Sequence, residues 1–169
     1  MKKIIFFALL IAGAVSVNAQ SKADKEFKYS GGVRIGLPVG NFHLSNSFGI
    51  GVELQGEYKL SPNASLTGTT GFTNFIGKSE TWGGYKYKYS SVGYIPILVG
   101  ARFYPSESVF VGGKLGYGIL TGGGSGGAFN LEPSVGYNAE KYQVALSYNA
   151  LVKGGTLGHL GVTAVYKFN

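Results

Sequence analysis

An all-β fold, an eight-stranded antiparallel up-and-down barrel, is predicted by three features of the sequence. Apolar and polar residues alternate in most segments, as in "GIGVELQGEYKL" at residues 49–60, which is the two-residue period of a β-strand. Glycine contributes 29 of the 169 residues and aromatic residues 14%, whereas charged residues contribute only 14%. Turn-forming stretches such as "SPNAS" and "PSES" separate the alternating segments. This combination is typical of closed all-β proteins.

The first 19 residues have the organisation of a secretory signal peptide. Lys2 and Lys3 form a basic region, residues 4–15 form an apolar region, and Val17-Asn18-Ala19 is a small-residue cleavage site. The apolar run is shorter than the ~20 residues that a transmembrane helix needs. We therefore expect residues 1–19 to be removed and residues 20–169 to form one β-barrel domain.

The alternation predicts eight strands with connections of two kinds. Residues 61–65, 105–108 and 138–141 are short turns, the connections after the first, third and fifth strands are longer, and residues 152–156 are ambiguous. Short turns that alternate with long loops are typical of barrels that span an outer membrane. No segment has the period of an amphipathic helix, and bulges are expected at Pro96 and Pro133, which fall inside strands. The predicted strands are Glu26–Leu37, Phe48–Leu60, Leu66–Ile76, Tyr85–Tyr104, Val109–Leu120, Phe129–Tyr137, Tyr142–Leu151 and Gly158–Phe168.

Ionisable residues share one face of the predicted strands with most of the glycines. A water-facing surface has no need of so many glycines, whereas the narrow lumen of an eight-stranded barrel does, because long side chains there require small neighbours. This face is therefore predicted to be a filled polar interior without an open pore. Arg34 should lie near Glu53, Lys114 near Glu132, and Glu57 should face Lys28. The predicted ion-pair network comprises Lys28, Arg34, Glu53, Glu57, Arg102, Lys114 and Glu132.

The opposite face carries aliphatic residues flanked by two sets of aromatic rings, which is the pattern of a lipid-facing barrel surface. A soluble ligand-binding barrel, the alternative, would instead point its apolar residues inward. The girdle predicted near the short turns and the termini contains Phe27, Tyr58, Phe103, Tyr137, Tyr142, Tyr166 and Phe168.

The signal peptide, the eight alternating strands and the terminal "GVTAVYKFN" resemble the small outer-membrane β-barrels of the OmpA/OmpX type. The resemblance covers the whole mature chain and is architectural. It implies a monomer in the Gram-negative outer membrane, in contact with lipid and lipopolysaccharide and inserted by the barrel-assembly machinery. That machinery reads an aromatic residue near the C-terminus, a part that Phe168 would play, although Asn169 follows it.

The stretch "TWGGYKYKYSS" at residues 81–91 is the candidate surface contact. A strand from Tyr85 to Tyr104 would exceed the ~25 Å apolar band, so it should protrude beyond the membrane. A protruding edge could pair with an extracellular partner, and its lysines could contact lipopolysaccharide phosphates. The residues singled out are Trp82, Tyr85, Lys86, Tyr87 and Lys88.

Catalytic, cofactor and nucleic-acid signals are weak. A lipid A-modifying enzyme is the main functional alternative, but the sole His-x-Ser pattern, His43-Leu44-Ser45, falls in a predicted loop, and no serine follows His159 in that pattern. The G-x-G-x-x-G in "TGGGSGG" precedes a strand and not the helix that a dinucleotide site requires. With two histidines, no cysteine and dispersed basic residues, we expect no cofactor, no metal and no nucleic-acid partner. A non-catalytic structural or surface-interaction role is therefore predicted.

Overall fold

The computed structural model describes residues 27–123 and 126–168, so the predicted signal peptide lies outside the described residues. Eight antiparallel strands form a closed barrel, in which each strand pairs with its neighbours and the last pairs with the first. In order around the barrel they are β1 (Phe27–Val39), β2 (Asn46–Ser61), β3 (Ala64–Gly77), β6 (Val92–Ser106), β7 (Val109–Gly122), β8 (Gly126–Asn138), β9 (Tyr142–Val152) and β10 (Thr156–Lys167). The predicted fold class is confirmed.

The apolar face of each barrel strand lies on the outside. In β2, Ile50, Val52 and Leu54 are each 57% exposed, whereas Glu53 is 3% exposed and Glu57 is 8% exposed. The same alternation continues around the barrel, so apolar side chains form a continuous outer band and polar side chains enter the lumen. This is the arrangement that a lipid-facing barrel requires.

The connections at the two ends of the barrel differ less in length than predicted. At one end, which we call the turn end, lie both described termini and the short connections 62–63, 107–108 and 139–141. At the other, the loop end, residues 40–45 and 78–91 are long connections, but 123–125 and 153–155 are as short as turns. The prediction of a longer loop after the fifth predicted strand is therefore wrong, because β7 and β8 both extend into the glycine-rich stretch.

The two long connections contain short elements that the sequence pattern did not reveal. Helix α1 (Asn41–Ser45) lies between β1 and β2, and its five residues are too few to show a helical period. Strands β4 (Ser79–Trp82) and β5 (Tyr85–Lys88) form a separate two-stranded sheet. The single strand predicted over Tyr85–Tyr104 is therefore wrong: Gly83 and Gly84, with φ of 57° and 84°, turn the chain back, and the barrel strand begins only at Val92.

The bulges expected at the two prolines are also absent from the described strands. The register of β6 against its neighbours is unchanged across Pro96. In the β3–β6 ladder, however, Pro96 and Ile95 do not pair with Gly71 and Phe72. β8 likewise keeps its register across Pro133. Each proline thus interrupts ladder pairing on one side only and leaves the other side intact. Register shifts occur instead near strand ends, as between Phe103 and Ser106.

Within the described residues, no helix is both long enough and apolar enough to cross a membrane.

Candidate functional site

Four buried charged residues form a cluster in the middle of the lumen, which we call the central cluster. The Arg34 Nη1 atom lies 2.6 Å from a Glu53 carboxylate oxygen, and its Nη2 atom lies 3.0 Å from Glu132. The Lys114 ammonium lies 2.8 Å from Glu132 and 3.6 Å from Glu53. Two cations and two carboxylates therefore alternate, so each buried charge has an opposite charge beside it, as burial away from water demands.

A second cluster, the lower cluster, lies closer to the turn end and is organised around Glu57. Its carboxylate accepts hydrogen bonds from Arg102 at 3.0 Å, from Ser65 at 2.8 Å and from the Tyr104 hydroxyl. The Arg102 guanidinium also stacks over the Phe110 ring, 4.2 Å from the ring centroid. Lys28, which was expected to face Glu57, lies directly opposite it in the β1–β2 ladder. Arg102 of β6 forms an ion pair with Glu57.

Glycines in the lumen leave the space that the large side chains occupy. A Cβ atom on Gly161 would lie 2.8 Å from Arg34 Nη2 and also 2.8 Å from the Ser147 hydroxyl. Cβ atoms on Gly36 and Gly49 would lie 2.7 Å and 2.6 Å from the Phe75 ring. The glycine-rich inner face is therefore explained by close approach of side chains in a narrow lumen.

Rings close the loop end of the lumen, in an arrangement that we call the aromatic plug. Phe42 of α1 packs edge-on against Phe75, Phe75 packs against His159, and His159 packs against Tyr94, with centroid separations of 4.9, 4.9 and 5.5 Å. Neither ring nitrogen of His159 has a hydrogen-bond partner among the described residues. Val92, Leu120, Ala128 and Leu151 complete this apolar cluster.

The predicted aromatic girdle residues lie on the outer surface at the turn end. Phe27, Phe103 and Tyr137 are 44%, 52% and 51% exposed, and Phe27 packs with Tyr58 at a centroid separation of 6.4 Å. The remaining members of the predicted set, Tyr142, Tyr166 and Phe168, are 54%, 53% and 64% exposed.

The candidate surface-contact residues lie on the β4–β5 hairpin at the loop end. Lys86 and Lys88 pair with Thr81 and Ser79, so these four residues share one face of the hairpin. The other face carries Tyr85, which is 85% exposed and pairs with Trp82 in the backbone ladder, and Tyr87, which is 62% exposed and opposite Glu80.

The residues considered for catalysis are not assembled into one site. His43 and Ser45 lie on α1, where His43 Nε2 is 3.1 Å from Lys78 Nζ and the Ser45 hydroxyl contacts Asn46 Oδ1 at 2.8 Å. His159 is buried in the aromatic plug. Within residues 27–123 and 126–168, no group of three or more His, Cys, Asp or Glu side chains is arranged to hold a metal ion.

Sequence reasoning missed the neutral side chains that connect the charged ones. Gln55 accepts a hydrogen bond from Arg102 at 2.6 Å and donates one to Gln143 at 3.2 Å. Asn130 and Asn149 bond to the Tyr94 hydroxyl in the plug. All four amides lie on the same face of their strands as the charged residues. This position in the alternation was the signal by which the sequence could have identified them.

The fold resembles solved transmembrane β-barrels at low sequence identity. Ail of Yersinia pestis, solved in complex with the heparin analogue sucrose octasulfate, matches with a TM-score of 0.58 and 16% identity over 85% of this chain and 99% of Ail. Ail in a phospholipid bilayer nanodisc matches with a TM-score of 0.57 and 18% identity over 85% of this chain and 100% of that one. A de novo designed transmembrane β-barrel matches with a TM-score of 0.50 and 13% identity over 83% of this chain and 94% of the design.

No curated protein sequence matches this chain significantly. The model of a family described as the outer membrane protein beta-barrel domain matches residues 7–169, which is nearly the whole chain. This match agrees with the closed eight-stranded barrel and with its apolar outer band. The chain therefore belongs to the outer membrane protein beta-barrel domain family.

Proposed function

We propose that this protein is a monomeric, non-catalytic outer-membrane barrel with a filled interior, and that its loop-end surface binds an anionic saccharide. It would reach the membrane through cleavage of residues 1–19 and insertion by the barrel-assembly machinery. Lipopolysaccharide phosphates and an extracellular sulfated or phosphorylated sugar have the shared chemistry that this surface would recognise.

The saccharide-binding part of the proposal rests on the position and the exposed side chains of the β4–β5 hairpin. The hairpin belongs to a sheet of its own, outside the barrel wall, and it presents Lys86 and Lys88 on one face and Tyr85 and Tyr87 on the other. Ammonium groups form charge-assisted hydrogen bonds with sulfate and phosphate, and exposed rings can stack against sugars. Loops held by a rigid scaffold are where binding residues concentrate.

Sucrose octasulfate, the molecule named in one Ail structure, is a suitable probe for titration into the full chain in neutral detergent. We expect Lys86→Gln with Lys88→Gln to weaken binding by at least about tenfold, since each hydrogen bond to a charged group contributes roughly 1.5–3 kcal/mol. Lys141→Gln is the matched control, because Lys141 is an exposed lysine at the opposite end. Absence of binding, or equal affinity for the hairpin variant and the wild type, would contradict the proposal.

The filled interior is supported by three successive barriers along the lumen. The lower cluster, the central cluster and the aromatic plug follow one another from the turn end to the loop end, and Arg34, Glu132, Phe75 and Tyr94 are among the most completely buried side chains. Eight strands enclose a lumen just wide enough for side chains. Reconstituted in planar bilayers, the protein should show no conductance steps, and steady ohmic steps would contradict a closed interior.

A further inference from the structure

A cavity of about 470 Å³ opens at the turn end, below the lower cluster, and we call it the mouth cavity. Lys28 of β1, Lys59 of β2 and Lys167 of β10 line it, together with Asn138, Gln143 and Tyr104. Because β10, β1 and β2 are consecutive around the barrel, the three lysines lie side by side on one wall. The cavity has the size of a small-molecule site.

Two acidic residues, Glu57 and Glu107, line the mouth cavity beside Lys59 and Lys167. Glu57 is held by Arg102, Ser65, Tyr104 and Gln143, so its charge is already matched inside the lower cluster. Glu107, the other acidic residue lining the cavity, is exposed on the β6–β7 turn. Neither Lys59 nor Lys167 makes an ion pair with a carboxylate of the described residues.

Lys167 is fixed in position. Its ammonium donates to Asn138 Oδ1 at 2.7 Å and to the Ala139 carbonyl oxygen at 2.5 Å. Two of its three N–H donors are used in this way, which leaves one donor and the full positive charge for a ligand. Asn138 is itself bound by Gln143 at 2.9 Å, so the wall that supports the lysine is ordered by side-chain contacts.

The cations deeper in the lumen differ from the mouth lysines in having carboxylate partners. Arg34, Lys114 and Arg102 each have a carboxylate within 3.0 Å. At the mouth, Lys59 and Lys167 line an open space without such a carboxylate among the described residues, an arrangement that an anion in that space would stabilise. A multiply charged anion matches the two ammonium groups of Lys59 and Lys167 better than a single carboxylate does, and lysine is a common ligand of phosphate.

We propose that the mouth cavity is a binding site for a multiply charged phosphate compound on the periplasmic side of the membrane, the side that short turns face in outer-membrane barrels. Lys59 and Lys167 are the ligands, and Lys28 on the intervening strand β1 lines the same cavity. The phosphate could belong to a soluble molecule or to the head group of a neighbouring lipid. This site is separate from the hairpin surface, so the two proposals stand or fall independently.

Pyrophosphate is the probe, titrated by calorimetry into the full chain in phosphatidylcholine nanodiscs. We expect Lys59→Gln with Lys167→Gln to raise the Kd at least about tenfold, given the strength of hydrogen bonds to charged groups. Binding should also weaken steeply with added salt. Lys141→Gln, which changes an exposed lysine at the same end outside the cavity, should bind as the wild type does.

Heat-modifiable gel migration checks that each variant is folded. Lys59→Gln alone serves as the milder variant, because the Lys59 side chain makes no ion pair with the described residues. A lower pyrophosphate affinity in discs that also contain phosphatidylglycerol would show that the lipid phosphate competes for the cavity, and would identify a lipid head group as the natural ligand. An unchanged affinity would assign the site to a soluble anion. No binding to the wild type, or equal losses in the mouth and Lys141→Gln variants, would overturn the proposal.

Discussion

The Arg34 guanidinium lies 2.6 Å from the Glu53 carboxylate, and both side chains are almost fully buried inside the barrel. Arg34 also contacts Glu132 of β8, a strand that does not neighbour β1, so the pair is part of a connection across the lumen. Together with Lys114, these residues join four of the eight barrel strands through side chains alone.

Breaking one member of this network should destabilise the barrel strongly. Glu53→Gln is expected to lower the free energy of unfolding by roughly 3 kcal/mol, because removing one partner leaves buried positive charge incompletely matched. Urea unfolding in lipid vesicles, followed by gel mobility, measures this change. In a double-mutant cycle with Arg34→Gln, a coupling energy of roughly 1–3 kcal/mol is expected. Additive effects would show that the two charges do not interact.

Barrel glycines should tolerate alanine only where the added Cβ atom has space. Gly49→Ala would place a Cβ 2.6 Å from the Phe75 ring, so we expect a loss of roughly 1–3 kcal/mol in the free energy of unfolding. Gly68→Ala, on the exposed outer face of β3, is the control, since its Cβ would have no neighbour within 4 Å. Phe75→Leu introduced with Gly49→Ala should recover part of the loss. Equal destabilisation by the two alanine substitutions would contradict the packing argument.

The β4–β5 hairpin should be dispensable for folding. Replacing residues 79–88 by a short Gly-Ser connection removes a sheet that is separate from the barrel and leaves the barrel ladders intact. We expect heat-modifiable migration to persist and the free energy of unfolding to change by less than about 1 kcal/mol, as for other surface changes. Binding of sucrose octasulfate should be lost. A variant that no longer inserts would show that the hairpin is part of the barrel's folding unit.

Two-residue alternation was sufficient to predict the strand number, the barrel class and the parity of Arg34, Glu53, Lys114 and Glu132, because parity depends only on the strand period. It could not reveal that Gln55 and Gln143 connect Arg102 to its surroundings, since contacts across the lumen depend on strand stagger. The hairpin was misread because the alternation continues through "YKYKY" although two glycines reverse the chain before it. The aromatic plug was missed because Phe75 and Tyr94 point into the lumen, on the strand face that elsewhere carries polar residues. The alternation pattern assigns apolar residues to the outer face.

A charged residue on the outer apolar band should destabilise the barrel more, the nearer it lies to the middle of the membrane. Leu54→Arg places a cation near the middle of the band and should lower the free energy of unfolding by roughly 2–4 kcal/mol. Val109→Arg, beside the turn end, should lower it by roughly 0–1 kcal/mol. Unfolding by urea in vesicles compares the two. Equal costs at both positions would indicate that Leu54 does not face lipid.

The central claim is that the apolar face of β2 contacts lipid while its charged face lines the lumen. The sequence contains no cysteine, so single-cysteine variants can be spin-labelled without removing native thiols. Leu54→Cys tests the outer face, and Thr67→Cys, at a position on β3 that is 4% exposed, tests the lumen. The decisive measurement is the accessibility of each label to oxygen and to a water-soluble nickel complex in bilayers. The account predicts high oxygen and low nickel accessibility at Leu54 and low accessibility to both at Thr67, and a nickel-accessible label at Leu54 would contradict it.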